Sequence, residues 1–316
     1  MQRPTPQTRE ISSPTITLVT GASGYVGSSL LPRLRDAGHT VRAFARDPSR
    51  VAGGVEVVQG DALTGAGLDA ALAGVEVAYY LIHSMEPGTD GFADRDRRAA
   101  ERFAAAARDA GVRRIVYLGG LVPAGGHASP HLASRAQVEA TLLGAAQESV
   151  ALRASIIIGA RSRSFRFLVR LVERLPVVPL PAWRRYRTRP IDGRDVLSYL
   201  VAAASSDAVG GQTLDLAGPE VLTYAEMIDR IRDALLVGRA MLPLGFTATP
   251  VASRVAASVA GEAHELVGPL MQALTGDLLP RDNRAQQLMP VRLHSFDSAV
   301  ERALRDWEAE EELSAR

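Results

Sequence analysis

Short apolar runs recur along the chain with amphipathic stretches between them. The runs near 15–19, 40–45, 55–59, 77–82, 114–118, 151–158 and 213–216 read as buried strands. Between them, apolar residues fall at helical spacing near 25–37, 67–72, 93–110 and 132–147. Strands alternating with helices predict an α/β fold, a Rossmann-type doubly wound parallel sheet covered on both faces. Right-handed crossovers then place ligand crevices at the carboxyl ends of the strands.

After Gly159 the alternation breaks. Residues 164–175 set Phe165, Leu168, Val169 and Val172 on one helical side and Arg166, Arg170 and Glu173 on another. A proline-rich loop follows over 176–190, and Thr223 with Glu226 three residues on is a capping-box pattern for a second helix over 223–236. The remainder reads as mainly helical and predicts a smaller C-terminal lobe over the crevice. The expected organisation is a flexible tail over 1–14, then a Rossmann domain over 15–160 to which 189–218 return. A smaller substrate-side lobe follows from 161–188 and 219–307, and a solvated acidic tail over 308–316.

With 316 residues, 47% of them hydrophobic, the chain can bury one large core and a second, smaller one. A net charge of +1 gives no reason to expect nucleic acid or an anionic membrane as partner. There is no cysteine, which rules out disulfides, thiolate ligands and a cysteine nucleophile and fits a cytoplasmic setting. All 36 basic residues are arginine, so no chemistry here uses a lysine. No His/Asp/Glu cluster has metal-ligand spacing, and no metal is expected. Residues 1–15 are polar, contain three prolines and lack the apolar core of a signal peptide. The apolar stretch 242–260 is interrupted by Pro243, Pro250 and Arg254; it makes a poor membrane span but leaves contact with a membrane surface open.

The chemistry concentrates in Thr20-Gly21-Ala22-Ser23-Gly24-Tyr25-Val26-Gly27, on the turn from the first strand to the first helix. Such a turn presents backbone N–H groups and a helix N-terminus to a phosphate. Gly21 allows the tight turn, Gly24 lets the backbone approach a pyrophosphate, and Gly27 lets helix and strand pack closely. An NAD site places a carboxylate at the end of the second strand, where it binds the ribose 2′-OH. Here that point reads Ala43-Phe44-Ala45-Arg46, and Arg46 can pair with a 2′-phosphate, so NADP(H) is expected over NAD(H). Asp47 is expected to face away and start a turn. Asp61, ending the third strand, is read either as an adenine contact or as a turn aspartate. His83 ends the fourth strand, where the nicotinamide ribose should lie. The expected cofactor-binding residues are Gly21, Ser23, Gly24, Tyr25, Val26, Gly27, Arg46, Asp61, Ala62, His83 and Gly119.

The order of these pieces resembles the short-chain dehydrogenase/reductase superfamily, in particular its atypical NmrA-like members. The matching residues are the glycine turn, Gly60-Asp61, Val116-Tyr117-Leu118-Gly119-Gly120, Ser129-Pro130-His131-Leu132-Ala133-Ser134-Arg135 and Arg189-Pro190-Ile191-Asp192-Gly193-Arg194-Asp195-Val196. The likeness covers roughly residues 15–300 and extends to bacterial nucleoside-diphosphate-sugar epimerase-like proteins. That branch is also similar to an accessory subunit of respiratory complex I. In active members a serine ends the fifth strand, a tyrosine passes the proton and a lysine four residues on lowers its pKa. Here Gly119-Gly120 stands in the serine region, His131 at the tyrosine position and Arg135 at the lysine position. Residues four apart share a helix face. The resemblance implies that His131 and Arg135 are the catalytic pair, with the backbone at Gly119 and Gly120 helping to place the substrate. Read without a ligand, His131 starts a helix and Arg135 is a surface arginine. The match at Arg189-Pro190-Ile191 and Asp195 implies an anchor between lobe and sheet. The arginines 161, 163, 166, 184, 185, 187 and 189 are read as a solvated face or as a site for an anionic substrate.

The leading expectation is an atypical NADP(H)-dependent short-chain oxidoreductase that moves a hydride to or from a carbonyl or quinone-like small molecule. The main alternative is a non-catalytic NADP(H) sensor with a protein partner; the missing Ser-Tyr-Lys set favours it. A third reading is a quinone- or respiratory-associated protein. Sugar-nucleotide epimerisation is disfavoured, because it leans on the missing tyrosine and lysine.

Overall fold

The structure is a computed structural model and describes residues 16–83, 91–123, 130–245, 276–311 and 313, with side chains 130–132 excepted. Seven parallel strands form one sheet: β1 (Ile16–Thr20), β2 (Thr40–Ala45), β3 (Glu56–Gln59), β4 (Val75–Tyr80), β5 (Arg114–Gly120), β6 (Val150–Ala154) and β11 (Thr213–Leu216). Their order is β11-β6-β5-β4-β1-β2-β3, so the chain runs outward from β1 to β3 and then restarts on the other side of β1 with β4. The reversal makes a crevice at the carboxyl ends of β1 and β4.

Side chains along each strand alternate between the two faces. Val19, Val77, Tyr79, Val116 and Leu118 point to one face, where α1 (Tyr25–Asp36) and α6 (Gly193–Ser205) bring Leu30, Leu34, Val196 and Leu200. Leu18, Ala78, Tyr80, Ile115 and Tyr117 point to the other, under α2 (Leu68–Leu72), α3 (Phe92–Asp109) and α4 (Pro130–Leu143). Small residues on α3 (Ala99, Ala100, Ala104 and Ala107) let it lie close to the sheet, with Phe103 filling the gap against Tyr80.

A third apolar cluster joins α5 (Arg163–Arg174), α7 (Tyr224–Ala234) and α9 (Phe296–Glu308) through Phe165, Val169, Met227, Ile231, Leu304 and Trp307. The Thr223 capping box forms: Glu226 N donates to Thr223 Oγ1 at 3.1 Å and Thr223 N to Glu226 Oε2 at 2.7 Å. The short helix α8 (Arg284–Leu288) lies beside β11.

Two expectations need correction. The apolar run 151–158 is two strands, because β6 ends at Ala154, where Leu121 N takes the Ala154 carbonyl. The chain then turns through Ser155, and β7 (Ile157–Ile158) pairs with β10 (Ile191–Asp192) outside the main sheet; the short β8 (Val177–Leu180) and β9 (Arg187–Thr188) lie between them in sequence. Arg153 and Ser155 interrupt the run at a strand-like spacing of two, so it carries no mark of that change of partner. The acidic end is also not wholly a free tail. Glu310 meets Arg161, and Glu311 meets Arg166 at 2.6 Å and Arg170. The Arg166 guanidinium lies 4.2 Å over the Trp307 ring. Part of the arginine set is therefore occupied in holding the C-terminal segment.

Candidate functional site

The glycine turn follows β1 directly. Gly21 has φ +65°, in the left-handed region that suits glycine, and a Cβ there would meet the Leu81 carbonyl oxygen at 2.6 Å. A Cβ on Gly27 would overlap the Gly21 carbonyl and approach the Ala22 Cα at 2.9 Å. Gly24 N donates to Gly21 O at 2.9 Å, closing the turn, and Gly24 is the extended N-cap of α1 with no side-chain cap. The first backbone N–H groups of α1, at Tyr25, Val26 and Gly27, therefore point out of the helix end without an intrahelical acceptor. Ser23 and Gly24 are exposed beside them, so the cradle has the shape and polarity to take a pyrophosphate. Val26 is half-buried against the α1–α6 face of the core.

Tyr25 turns away from the cradle. Its hydroxyl stands where a side chain on Gly159 or Gly193 would begin, which joins the turn to the end of β7 and the start of α6. Burial, with the Asp192 carboxylate adding to it, pushes the Tyr25 hydroxyl up to about 12, so it stays protonated.

Arg46 is exposed at the end of β2. Asp47 accepts from Ser49 N at 3.0 Å and Ser49 Oγ at 2.6 Å, the turn role foreseen for it. Asp61 Oδ1 accepts from Leu63 N at 2.8 Å, and Asp61 N donates to Ala66 O. One carboxylate oxygen of Asp61 is thus engaged in an aspartate turn, and Ala62 behind it is buried.

At the crevice itself, β4 ends with Tyr80, and Leu81 N donates to Thr20 Oγ1 at 3.2 Å. His83 follows, exposed, two residues past the carbonyl that bounds Gly21. Arg135 on α4 donates to His83 Nδ1 at 2.8 Å and to the Leu118 carbonyl of β5 at 3.0 Å, while lying 5.9 Å over the Tyr117 ring. Arg135, expected to act on one site with His131, donates to His83 and to the end of β5. The His131 side chain lies outside the described residues, although its backbone is in the first turn of α4. Gly119 is buried opposite Arg153 of β6, with the Tyr117 ring 3.0 Å from the position of a Cβ; around Gly120 no described residue lies within 4 Å of that position.

Asp195 accepts from His294 N at 2.9 Å and lies 2.6 Å from His294 Nδ1, which ties α6 to the segment leading into α9. Arg189 Nε donates to Gly218 O at 2.9 Å. A cavity of about 540 Å³, lined by Arg189, Tyr199, Asp215 and Asn283 among others, lies at the β11 edge, apart from the glycine turn. Among the described residues no group of three or more His, Asp or Glu is placed to hold a metal. Among the same residues no helix is long and apolar enough to cross a membrane; most of the stretch 242–260 lies outside them.

The sequence reading missed the His83–Arg135 contact and the seat of Tyr25 between two glycines. The first pair is 52 residues apart and carries no spacing signal.

Residues 21–156 match the family model described as NAD(P)H-binding. Over 301 residues the chain is 29% identical to a (4-alkanoyl-5-oxo-2,5-dihydrofuran-3-yl)methyl phosphate reductase of Streptomyces griseus, covering 93% of this chain and 96% of that protein. An epimerase from Methanothermobacter thermautotrophicus superposes with a TM-score of 0.73 at 16% identity, over 94% of this chain and 93% of its own. A short-chain dehydrogenase/reductase superfamily protein from Agrobacterium tumefaciens, solved with bound NAD, gives 0.68 at 20% identity, over 94% and 99%. The two structures establish the likeness of fold.

Proposed function

We propose that this chain, whose residues 21–156 are an NAD(P)H-binding segment of the atypical short-chain dehydrogenase/reductase type, is an NADPH-dependent reductase of a small carbonyl or quinone-like molecule. The observation that carries the reading is the adjacency of the Gly21 turn and the carboxyl end of β4. The cradle for a pyrophosphate and the polar pair His83–Arg135 open on one crevice. When bound, the cofactor supplies a hydride from its dihydronicotinamide. The chain's part is to bind, orient and polarise. α1 offers its N-terminal amides to the pyrophosphate. Arg46, with no carboxylate at the end of β2 and Asp47 tied to Ser49, supports a 2′-phosphate contact and hence NADPH over NADH. The substrate enters beside Gly120, where among the described residues no side chain lies within 4 Å of the position of a Cβ. The Streptomyces relative, whose name makes it a reductase of an oxo-dihydrofuranyl methyl phosphate, supports a small oxygenated substrate.

The test is cofactor titration by fluorescence, followed by NADPH oxidation against aldehydes, quinones and oxo-dihydrofuranyl methyl phosphates. Turnover with a micromolar NADPH Kd is the expected result. His131→Ala, on the first turn of α4, asks whether the position that the family gives to its tyrosine carries the proton. Tight NADPH binding without turnover on any substrate would favour a redox sensor. The Gly119-Gly120, His131 and Arg135 replacements give that reading its support.

A further inference from the structure

We infer that the cavity at the β11 edge is a binding site for a small phosphate monoester, held by Arg189, Arg292 and Asn283 and separate from the cofactor crevice. The inference is independent of the reductase reading. Four strand spacings separate β11 from β1, about 19 Å at the usual distance between neighbours. The cavity lining contains no residue of the glycine turn, of β4 or of β5. A phosphate here is a second anion, distinct from the diphosphate of the cofactor. Two acids line the cavity, and both are matched. Asp215 accepts from Arg281 through N at 2.8 Å, Nε at 2.9 Å and Nη2 at 2.8 Å. Asp282 accepts from Arg284 N at 3.0 Å and Nε at 2.8 Å. Two arginines on the lining are not matched: among the described residues neither Arg189 nor Arg292 pairs with a carboxylate. Arg189 is half-buried, and burial pulls its guanidinium below the ordinary arginine value. A charge taken partly out of water without a counter-charge is costly, so an anion that supplies one is favoured. The surplus of two positive charges fits a phosphate monoester, which carries about −1.5 to −2 at pH 7, better than a single carboxylate.

The donors are held in place. Arg189 Nε donates to Gly218 O at 2.9 Å and Nη1 to Asn283 Oδ1 at 3.3 Å, which fixes the guanidinium and leaves Nη2 without a partner among the described residues. With its Oδ1 on Arg189, Asn283 keeps its side-chain N–H groups for a phosphate oxygen. The walls are braced as well. The Tyr199 hydroxyl of α6 donates to Gln286 Oε1, and Gln286 Nε2 donates to the Val291 carbonyl at 2.8 Å. Pro219, Pro280 and Leu293 supply apolar surface for the organic part of the ester. The volume of about 540 Å³ suits a small ligand, since such sites run from roughly 300 to 1,000 Å³.

Calorimetric titration of the full-length chain with phenyl phosphate, inorganic phosphate and benzoate tests the site. Phenyl phosphate should bind with a Kd of about 0.1 mM, a strength usual for a ligand of its size. Inorganic phosphate, without the ring, should bind more weakly. Benzoate, with the ring but a single charge, should be at least about tenfold weaker. Arg292 makes no side-chain bond among the described residues, so Arg292→Gln should melt as wild type does. Its affinity for phenyl phosphate should fall about 10- to 100-fold, the size of one charge-assisted contact. Arg189→Lys, which keeps the charge, should lose less than Arg189→Gln. Gly24→Ala, at the cofactor cradle, should leave phenyl phosphate affinity unchanged. Loss of that affinity in Gly24→Ala puts the anion on the cradle and overturns the proposal. Affinity indifferent to Arg189→Gln and Arg292→Gln, benzoate as tight as phenyl phosphate, or no binding up to ~10 mM also overturns it. A chain that takes up no NADPH defeats the reductase reading, while these titrations still decide the cavity.

Discussion

The guanidinium of Arg114, wholly buried at the start of β5, donates to Glu148 Oε2 at 2.6 Å and to the carbonyls of Ala203 and Ala204 at 2.8 and 2.9 Å. One side chain thus fastens the centre of the sheet to the last turn of α6. Its bond holds the Glu148 carboxyl below the usual carboxylate range. Glu148→Gln should lower the unfolding free energy by about 1–2 kcal/mol, the low end for a buried ion pair because a third of Glu148 is open to water. The carboxyl is depressed in the fold, so its contribution is present above the unfolded value of ~4.3 and is lost as pH falls through the folded one. Urea melts should therefore separate wild type and variant at pH 7 and bring them together in acid. A gap that does not narrow would show that the pairing is not what is lost.

Gly24 and Gly27 should separate binding from folding. Among the described residues a Cβ on Gly24 meets only the Gly21 oxygen, at 3.2 Å, so Gly24→Ala should melt close to wild type while NADPH affinity falls at least tenfold. Gly27→Ala drives its methyl into the Gly21 backbone and should cost about 1–3 kcal/mol of stability. Equal thermal losses in the two variants would contradict this division.

Arg46→Ala should weaken NADPH by about 10- to 100-fold, the size of one charge-assisted contact, and leave NADH nearly unchanged. Parallel titrations of the two cofactors decide it: matched losses would remove Arg46 from phosphate recognition.

Truncation ahead of Glu310 leaves Arg161 and Arg166 without their carboxylates and strips Arg170, itself nearly buried, of one of its two. The loss should be about 1–3 kcal/mol. It should be read at low and high salt, since the two outer pairs are screened and the Arg170 contact much less so. A truncated chain with an unchanged melt at both salts would mean that the segment is merely adjacent.

The doubly wound sheet was legible because period-2 burial, helical spacing and the glycine turn all point the same way. Gly21 and Gly27 announce themselves, since φ and close approach leave few residue choices there. Asp47 was legible too, as an aspartate before a proline. What stayed hidden was tertiary. No local pattern ends β6 at Ala154 in the middle of an apolar run, because the signal is the partner strand rather than the residue. Arg135 reads as a lysine substitute four residues after His131; its bond to His83 exists only once β4 and α4 are side by side. The arginines near the second cluster read as a charged face, and only the fold brings Glu310 and Glu311 back to them.

Tyr25 belongs to the first turn of α1, yet its ring is wedged between Gly159 and Gly193, where the main sheet gives way to the helices of the third cluster. The phenol thereby fills the room that a side chain at either glycine would need, so residue 25 ties the start of α1 to that seam and a change at Gly159 or Gly193 would be felt at the cradle.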